Sequence, residues 1–312
     1  MNCMKKIDIV VPLLNEFEVI DELLKRTYKT LNEINSKEYM VNLIIVDDGS
    51  KKEFKDILRV HHKNYGFTLI ELTRNFGHQT ALRAGIENSD ADALICMDGD
   101  LQDPPDLILE MLAAFTEGYE VVNTIRKKRE KESYFKKVTA SIFYKIVNSN
   151  SNIRLTLNSG DFKLLSKKII DIIKATNENE IYLRGLVDWY GGKTKYLYYD
   201  RNTRFAGKRK YKYRQSLDLA LNGLVSFSNF FPNLLLKLLL FSVVVFFGLI
   251  VFLSYSIINN YDDLVRGWSS IVALLMFINV IQIFGFFFVT IYLSKIFHQT
   301  TGKKTYNISN IS

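Results

Sequence analysis

The sequence predicts an α/β domain with a mainly parallel sheet, followed by two membrane-spanning helices. Three observations carry that expectation. Apolar, strand-like runs alternate with segments of helical spacing from Ile7 to Ile125. Polar clusters stand at the ends of three of those runs: Asn15-Glu16, Asp47-Asp48 and Asp98-Gly99-Asp100. Further along, Leu238–Tyr261 and Gly267–Ser294 carry no charged residue, and each exceeds the roughly 20 residues a helix needs to cross a bilayer core.

The elements follow in order. Ile7–Leu14 is a continuous apolar strand, and Glu16–Ile34 has helical spacing in Val19, Leu23, Leu24 and Leu31. Leu43–Val46 is a second strand, Phe54–His61 a short helix and Phe67–Leu72 a third strand. Gly77–Asn88 reads as helix and Ala91–Met97 as a buried strand. Asp103-Pro104 reads as an N-cap with proline at the first helical position, opening a helix over Leu107–Phe115. Glu120–Ile125 is a further strand. In parallel sheets, ligands bind at the carboxyl ends of the strands, where all three polar clusters fall. Two carboxylates one residue apart at such an end grip a hard divalent cation, which in turn holds a diphosphate. Alone, Asp47-Asp48-Gly49-Ser50 is equally ordinary turn chemistry.

Beyond about residue 215 the composition changes. Ser216–Phe231 places Leu217, Leu221, Leu224 and Val225 on one helical face, as in a helix lying at a membrane interface. The connection Asn259–Arg266 makes the two uncharged runs a hairpin. Arg201, Arg204, Lys208, Arg209, Lys210, Lys212 and Arg214 precede the pair, and Lys295, Lys303 and Lys304 follow it. The positive-inside rule therefore puts both flanks in the cytoplasm. The expected organisation is a cytoplasmic catalytic domain over 1–214 and an interfacial helix over 215–231. Two transmembrane helices follow within 232–294, at about 234–258 and 268–293, and then a cytoplasmic tail over 295–312.

The net charge of +8 lies largely in two blocks, Arg126–Lys137 and Arg201–Arg214, so anionic headgroups or phosphate substrates are the expected partners, not nucleic acid. The short apolar run after Met1–Lys6 does not form a signal peptide. Cys3 and Cys96 are expected to stay reduced, in keeping with a cytoplasmic domain. His61, His62 and His298 read as surface or interface residues, and no Cys/His spacing suggests zinc.

With its motifs taken in order, the chain resembles the family 2 glycosyltransferases of GT-A fold. It is most similar to the membrane-bound polyisoprenyl-phosphate glycosyltransferases, the dolichol-phosphate-mannose-synthase-like group that includes bacterial undecaprenyl-phosphate glucosyltransferases. The resemblance rests on Val10–Glu16, Val46–Ser50, Arg74-Asn75-Phe76-Gly77-His78-Gln79 and Met97–Pro105. Asn158–Leu165, Leu183–Val187 and Arg204–Tyr211 complete it. It implies that Pro12, Asn15, Glu16, Asp47, Asp48 and Asp98 line the nucleotide-sugar pocket. Asp98, Asp100 and Gln102 would ligate Mg²⁺ or Mn²⁺, and Arg204 and Lys210 would sit on the phosphates. Arg126 and Arg129 would meet the acceptor phosphate. Asp161 matches an acidic position discussed as a base in the family and is assigned here to orienting sugar or acceptor; with Asp100 and Arg204 it forms the catalytic set. His78, with no evident partner, reads as a loop-positioning residue.

The implied activity is inverting, metal-dependent transfer of one sugar, glucose or N-acetylglucosamine from a UDP donor, to undecaprenyl phosphate at the cytoplasmic membrane face. A glycan or glycolipid hydroxyl is the alternative acceptor, and a non-catalytic scaffold partnering a flippase the alternative of another class. A homo-oligomer, a flippase and a downstream glycosyltransferase are the candidate protein partners. Two departures stand out. Arg209 replaces the hydroxyl residue usual before the Lys-Tyr pair, and the tail Tyr292–Lys304 lacks acidic residues, which argues against tail contacts with the catalytic domain. A Gln-x-x-Arg-Trp signature of processive synthases is absent, favouring single-sugar transfer.

Overall fold

The computed structural model describes residues 4–127, 159–176, 183–200, 267–300 and 305–312, with scattered positions between 233 and 255. The chain divides into two compact units. The first joins Met1–Tyr144, Ile153–Leu219 and Lys303–Ser312; the second joins Lys145–Asn152 and Ala220–Gly302.

The first unit is built on one sheet. Its first part runs β1 (Lys5–Leu13), α1 (Ile20–Glu33), β2 (Tyr39–Asp47), α2 (Lys52–Tyr65), β3 (Thr68–Leu72), α3 (His78–Glu87), β4 (Ala93–Cys96), α4 (Leu107–Thr116) and β5 (Val121–Arg126). Then come β6 (Ser159–Ser166), α5 (Lys167–Ala175), α6 (Leu183–Tyr190), β7 (Thr194–Tyr199) and, from the end of the chain, β8 (Ile308–Ile311). The strand order is β7-β5-β6-β4-β1-β2-β3-β8. The expected α/β class and mainly parallel sheet are present: β1 pairs in parallel with β2 and β4, β2 with β3, and β5 with β7. Strand β6 runs antiparallel between β4 and β5, and β8 antiparallel to β3. Neither of these two was expected from the apolar runs.

The central strands are apolar on both faces, as crossover helices require. Along β1, Ile7, Ile9, Val11 and Leu13 face a core shared with Leu24 of α1, Phe54 and Leu58 of α2 and Met111 of α4. Val10 faces the opposite core, with Ala81 and Ala84 of α3 and Ile169, Ile170 and Ile173 of α5. The period of two along the strand thus sorts one apolar run into two cores. Helix α3 lies close on β1, since a Cβ at Gly85 would come within 2.3 Å of Val10 Cγ1.

The structure shifts one boundary in a way that matters below. Helix α4 starts at Leu107 with Asp106 as N-cap, not at Pro104 behind an Asp103 cap. Pro105 disfavours the helical region for the residue before it, so the Pro-Pro pair spans a turn and delays the helix. Asp103 is thereby released into the interior, where it is fully buried.

The tail also departs from expectation. Residues 308–311 pair with β3, matching Ile70 with Ile311 and Glu71 with Asn310. Leu69 and Ser312 exchange both backbone hydrogen bonds, at 2.8 and 3.0 Å. Buried Glu71 accepts Arg59 Nη2 at 3.0 and 3.1 Å and Asn310 Nδ2 at 3.2 Å, while Tyr306 donates its hydroxyl to Glu87 at 2.6 Å. No acidic residue in the tail is needed: backbone, hydroxyl and amide groups make the contact.

The second unit contains α7 (Trp268–Thr300), which is 33 residues long. Among the described residues no helix is long and apolar enough to cross a membrane. The expected span at about 268–293 lies within α7, whereas that at about 234–258 includes residues outside the description and the interfacial segment 215–231 lies wholly outside it.

One glycine tests how tightly the strand ends are stacked. Gly49 has φ +68°, and a Cβ there would lie 2.1 Å from the backbone carbon of Arg74. Gly49→Ala is expected to cost at least about 2 kcal/mol through backbone strain plus a clash with main chain, read as a lowered unfolding midpoint.

Candidate active site

The site is assembled from loops at the carboxyl ends of β1, β2, β3 and β4, joined by β6. The β1 and β2 loops are stitched first. Asn15, at φ +51°, donates its N–H to Ser50 Oγ at 2.9 Å and accepts the Lys51 N–H on Oδ1 at 2.9 Å. Asp48 donates its N–H to the Leu13 carbonyl at 2.9 Å. Asp47 is fully buried and turns its carboxylate back on its own loop, accepting the Ser50 N–H at 3.2 Å, with Lys55 Nζ at 3.7 Å. Burial pushes its pKa up, against the Ser50 and Lys55 interactions.

Asp48 then captures the β3 loop. Its two carboxylate oxygens accept the N–H groups of Phe76 and Gly77 at 2.7 and 3.0 Å, and burial raises its pKa against these hydrogen bonds. The Asn75-Phe76-Gly77 turn is fixed in this way, and with it the first residues of α3. His78 and Gln79 leave that helix end toward β4 and β6.

Here the chemistry converges. His78 Nε2 lies 3.2 Å from Asp98 Oδ1 and 3.4 Å from Asp161 Oδ2. Gln79 Nε2 donates to Asp161 Oδ2 at 3.0 Å, and its Oε1 accepts the Leu183 N–H at the start of α6 at 3.3 Å. His78 is therefore no unpartnered loop residue but a bridge between two carboxylates. Burial opposes the imidazolium, yet the two aspartates outweigh it and hold the His78 pKa well above its usual value. Burial likewise opposes charge on Asp98, and His78 overcomes it to lower that pKa. The link was invisible in sequence because Asp98 follows the end of β4, and Asp161 lies on the antiparallel β6 beside it.

The potential metal-ligating atoms of His78, Asp98 and Asp161 lie within 4.8 Å of one another. Two carboxylates and an imidazole are a donor set suited to a divalent cation such as Mg²⁺ or Mn²⁺. Of the expected ligands, Asp98 belongs to this cluster. Asp100 and Gln102 occupy the adjoining loop, half-buried, with Asp100 Oδ1 accepting the Gln102 N–H at 3.2 Å. Between them Leu101 is buried at φ +58°, a left-handed conformation unusual for a bulky residue and the kind of strain functional loops retain. A Cβ at Gly99 would meet Leu13 Cδ2 at 2.3 Å and the Pro12 carbonyl oxygen at 3.1 Å, so the acidic loop lies directly on the end of β1.

On the other side Arg126, expected at the acceptor phosphate, stands with Asp103 and Tyr199, to which the sequence gave no role in the site. Arg126 Nη2 is 3.5 Å from Asp103 and 3.8 Å from Asp98, and its Nε donates to Tyr199 Oη at 3.1 Å. Tyr199 in turn donates to Asp103. Pro12 is buried and Glu16 half-buried near the same strand ends. Arg129, Arg204 and Lys210 lie outside the described residues.

Residues 8–173 match the model for glycosyl transferase family 2. The uncharacterized glycosyltransferase YkcC of Bacillus subtilis is 35% identical, over 97% of this chain and 94% of that protein. A prophage bactoprenol glucosyl transferase homolog of Escherichia coli is 33% identical, over 98% of this chain and 99% of its own. Among solved structures, glucosyl-3-phosphoglycerate synthase from Mycobacterium tuberculosis aligns with a TM-score of 0.48 at 14% identity, over 70% of this chain and 76% of that one. The chain belongs to glycosyl transferase family 2 and is a glycosyltransferase.

The loop that positions His78 gives a direct test. Asp48→Ala leaves the Phe76 and Gly77 N–H groups without their acceptor, at about 1–3 kcal/mol each if they stay buried. A lowered unfolding midpoint is expected, together with a larger loss of sugar transfer than the destabilisation explains, because His78 and Gln79 lose their anchor.

Proposed function

We propose that this glycosyltransferase moves a single sugar, with inversion, from a nucleotide-sugar to a polyprenyl phosphate at the cytoplasmic face of a membrane. The observation that carries the reading is the convergence of Asp98, Asp161 and His78 at the carboxyl ends of the sheet, beside the Asp100–Gln102 loop. The bactoprenol glucosyl transferase homolog, matched over nearly its full length, supports a polyprenyl phosphate acceptor and glucose as the sugar. UDP-glucose is the first donor to test and UDP-N-acetylglucosamine the second.

When bound, a divalent cation would neutralise charge developing on the departing diphosphate; Asp98, Asp100 and Gln102 are the residues proposed to hold it. Around it the protein's own groups set geometry. Asp161, gripped by His78 and Gln79, is oriented and not free to swing, which suits placing a sugar hydroxyl or the acceptor. A phosphate acceptor is already anionic at neutral pH and needs no strong base. Arg204 and Lys210 would meet phosphate oxygens, guanidinium forks being well matched to them.

The membrane assignment rests on sequence. Residues Trp268–Ser294 of the uncharged run fall within the continuous helix α7, and the basic residues flank the hairpin on one side. Segment 215–231 would lay the active site at the depth of a lipid phosphate.

The test is incubation of the purified full chain with undecaprenyl phosphate and radiolabelled UDP- and GDP-sugars, with and without EDTA. Lipid-linked label is expected from a UDP-hexose and should disappear with EDTA; Asp100→Ala should lower it by about 100-fold or more, the scale of losing electrostatic stabilisation of the leaving group. No lipid-linked label from any donor would falsify the reading. Asp161→Asn separates the acceptor classes: residual transfer is expected with a phosphate acceptor, whereas outright loss points to a hydroxyl acceptor that needs a base.

A further inference from the structure

Arg126 begins as a candidate ligand for the acceptor phosphate, but its surroundings give it other work. Its side chain is only 13% exposed and stands between two carboxylates, Asp103 at 3.5 Å and Asp98 at 3.8 Å. These are ion-pair distances, and they hold one guanidinium on two buried or nearly buried acids. The third contact fixes its direction: Nε donates to Tyr199 Oη at 3.1 Å, and Tyr199 also donates to Asp103. Arg126 and Tyr199 are register partners at the ends of the parallel strands β5 and β7. The Tyr199 ring is itself held edge-on against Phe162, with centroids 6.3 Å apart and planes at 85°.

The guanidinium reaches Asp98 by crossing β6 at Gly160. A Cβ there would lie 2.9 Å from Arg126 Nη2 and 3.3 Å from Cζ, so a side chain at this position would press on the guanidinium. Gly160 immediately precedes Asp161, and the same short stretch of β6 thus admits the arginine and supplies the acid. Asp103 is available because the Pro104-Pro105 turn keeps it out of helix α4. In this arrangement the guanidinium is already turned toward two carboxylates and Tyr199.

We infer that Arg126 is a positioning residue for the metal-side carboxylate Asp98, seated by Asp103 and Tyr199 and admitted by Gly160. This rests on the metal-dependent reading above. His78 faces Asp98 Oδ1 at 3.2 Å from the α3 side, and Arg126 faces Oδ2 at 3.8 Å from the β5 side, so the carboxylate carries a cationic group on each flank. Lysine in place of Arg126 keeps the charge but loses the fork and the Nε–H bond to Tyr199.

The experiment uses the full chain in detergent, with Mn²⁺ titrated in the presence of UDP and free Mn²⁺ read by electron paramagnetic resonance, without turnover. Arg126→Lys is expected to weaken Mn²⁺ binding about 10-fold, as loss of an outer-sphere partner does. Tyr199→Phe, the gentler change, should weaken it in the same direction by about 3-fold or more. For both, the KM for undecaprenyl phosphate should stay within about twofold of wild type, since neither removes an acceptor contact. Unchanged Mn²⁺ affinity in both variants overturns the inference. So does a rise of about 10-fold in the acceptor KM for Arg126→Lys with Tyr199→Phe silent, which assigns Arg126 to the acceptor. A wild-type chain that binds no Mn²⁺ with UDP sinks the metal-dependent reading and this inference together; wild-type binding with indifferent variants sinks this inference alone.

Discussion

The carboxylate of Asp48, buried at the end of β2 and gripping the N–H groups of Phe76 and Gly77, is the contact on which the catalytic end depends. Its own backbone is held to Leu13, so one residue joins the ends of β1, β2 and β3. The turn it fixes starts α3, and α3 aims His78 and Gln79 at Asp161 on β6 and at Asp98 just past the end of β4. Burial raises the Asp48 pKa, which shows that desolvation outweighs what the two hydrogen bonds return to the charged form. The loop it defines is the one that carries His78 and Gln79.

Beyond that turn the site is a balance of buried charge. Asp98, Asp103 and Asp161 lie within or beside the sheet, answered by His78 and Arg126. Such pairs add little net stability, because taking ions out of water costs about as much as their attraction returns. Their value is positional. Asp98 and Asp103 each face groups from two different elements and Asp161 faces two consecutive side chains of α3, so the carboxylates are oriented before any ligand arrives, and little reorganisation is left for the reaction. A cation entering beside Asp98 would meet oxygens already pointed at it.

Much of this was legible in the sequence, and the rest was hidden for identifiable reasons. The strands β1 to β4 announce themselves because both faces are buried, leaving unbroken apolar runs ended by polar clusters. Strand β6 escaped notice as a strand: Asp161 and Lys163 alternate with Phe162 and Leu164, so the period of two resembled a functional motif with apolar spacers. The polar segment of β8 has almost no apolar signal, because it adds to a sheet edge and does not fill a core. Asp103 looked like a helix cap because local rules favour that role, and the second proline overrode them. The partners of His78 and the role of Tyr199 could not be seen at all. Those contacts join positions 20 to 96 residues apart, and spacing along a chain says nothing of which strands become neighbours.

Strand β8 also bears on the order in which the molecule can be completed. It closes the β3 edge with Ser309, whose hydroxyl meets the Glu71 carbonyl 238 residues earlier in the chain. During synthesis β3 emerges long before its neighbour, and residues 220–302, a separate unit, must be made in between. Until then the β3 edge presents unpaired backbone groups, a template for unwanted strand pairing. Arg59, folded onto Glu71 from α2, leaves a charged pair along that edge in the interval, a natural guard against such pairing. The last strand to be made is then the seal on a domain that has otherwise already formed.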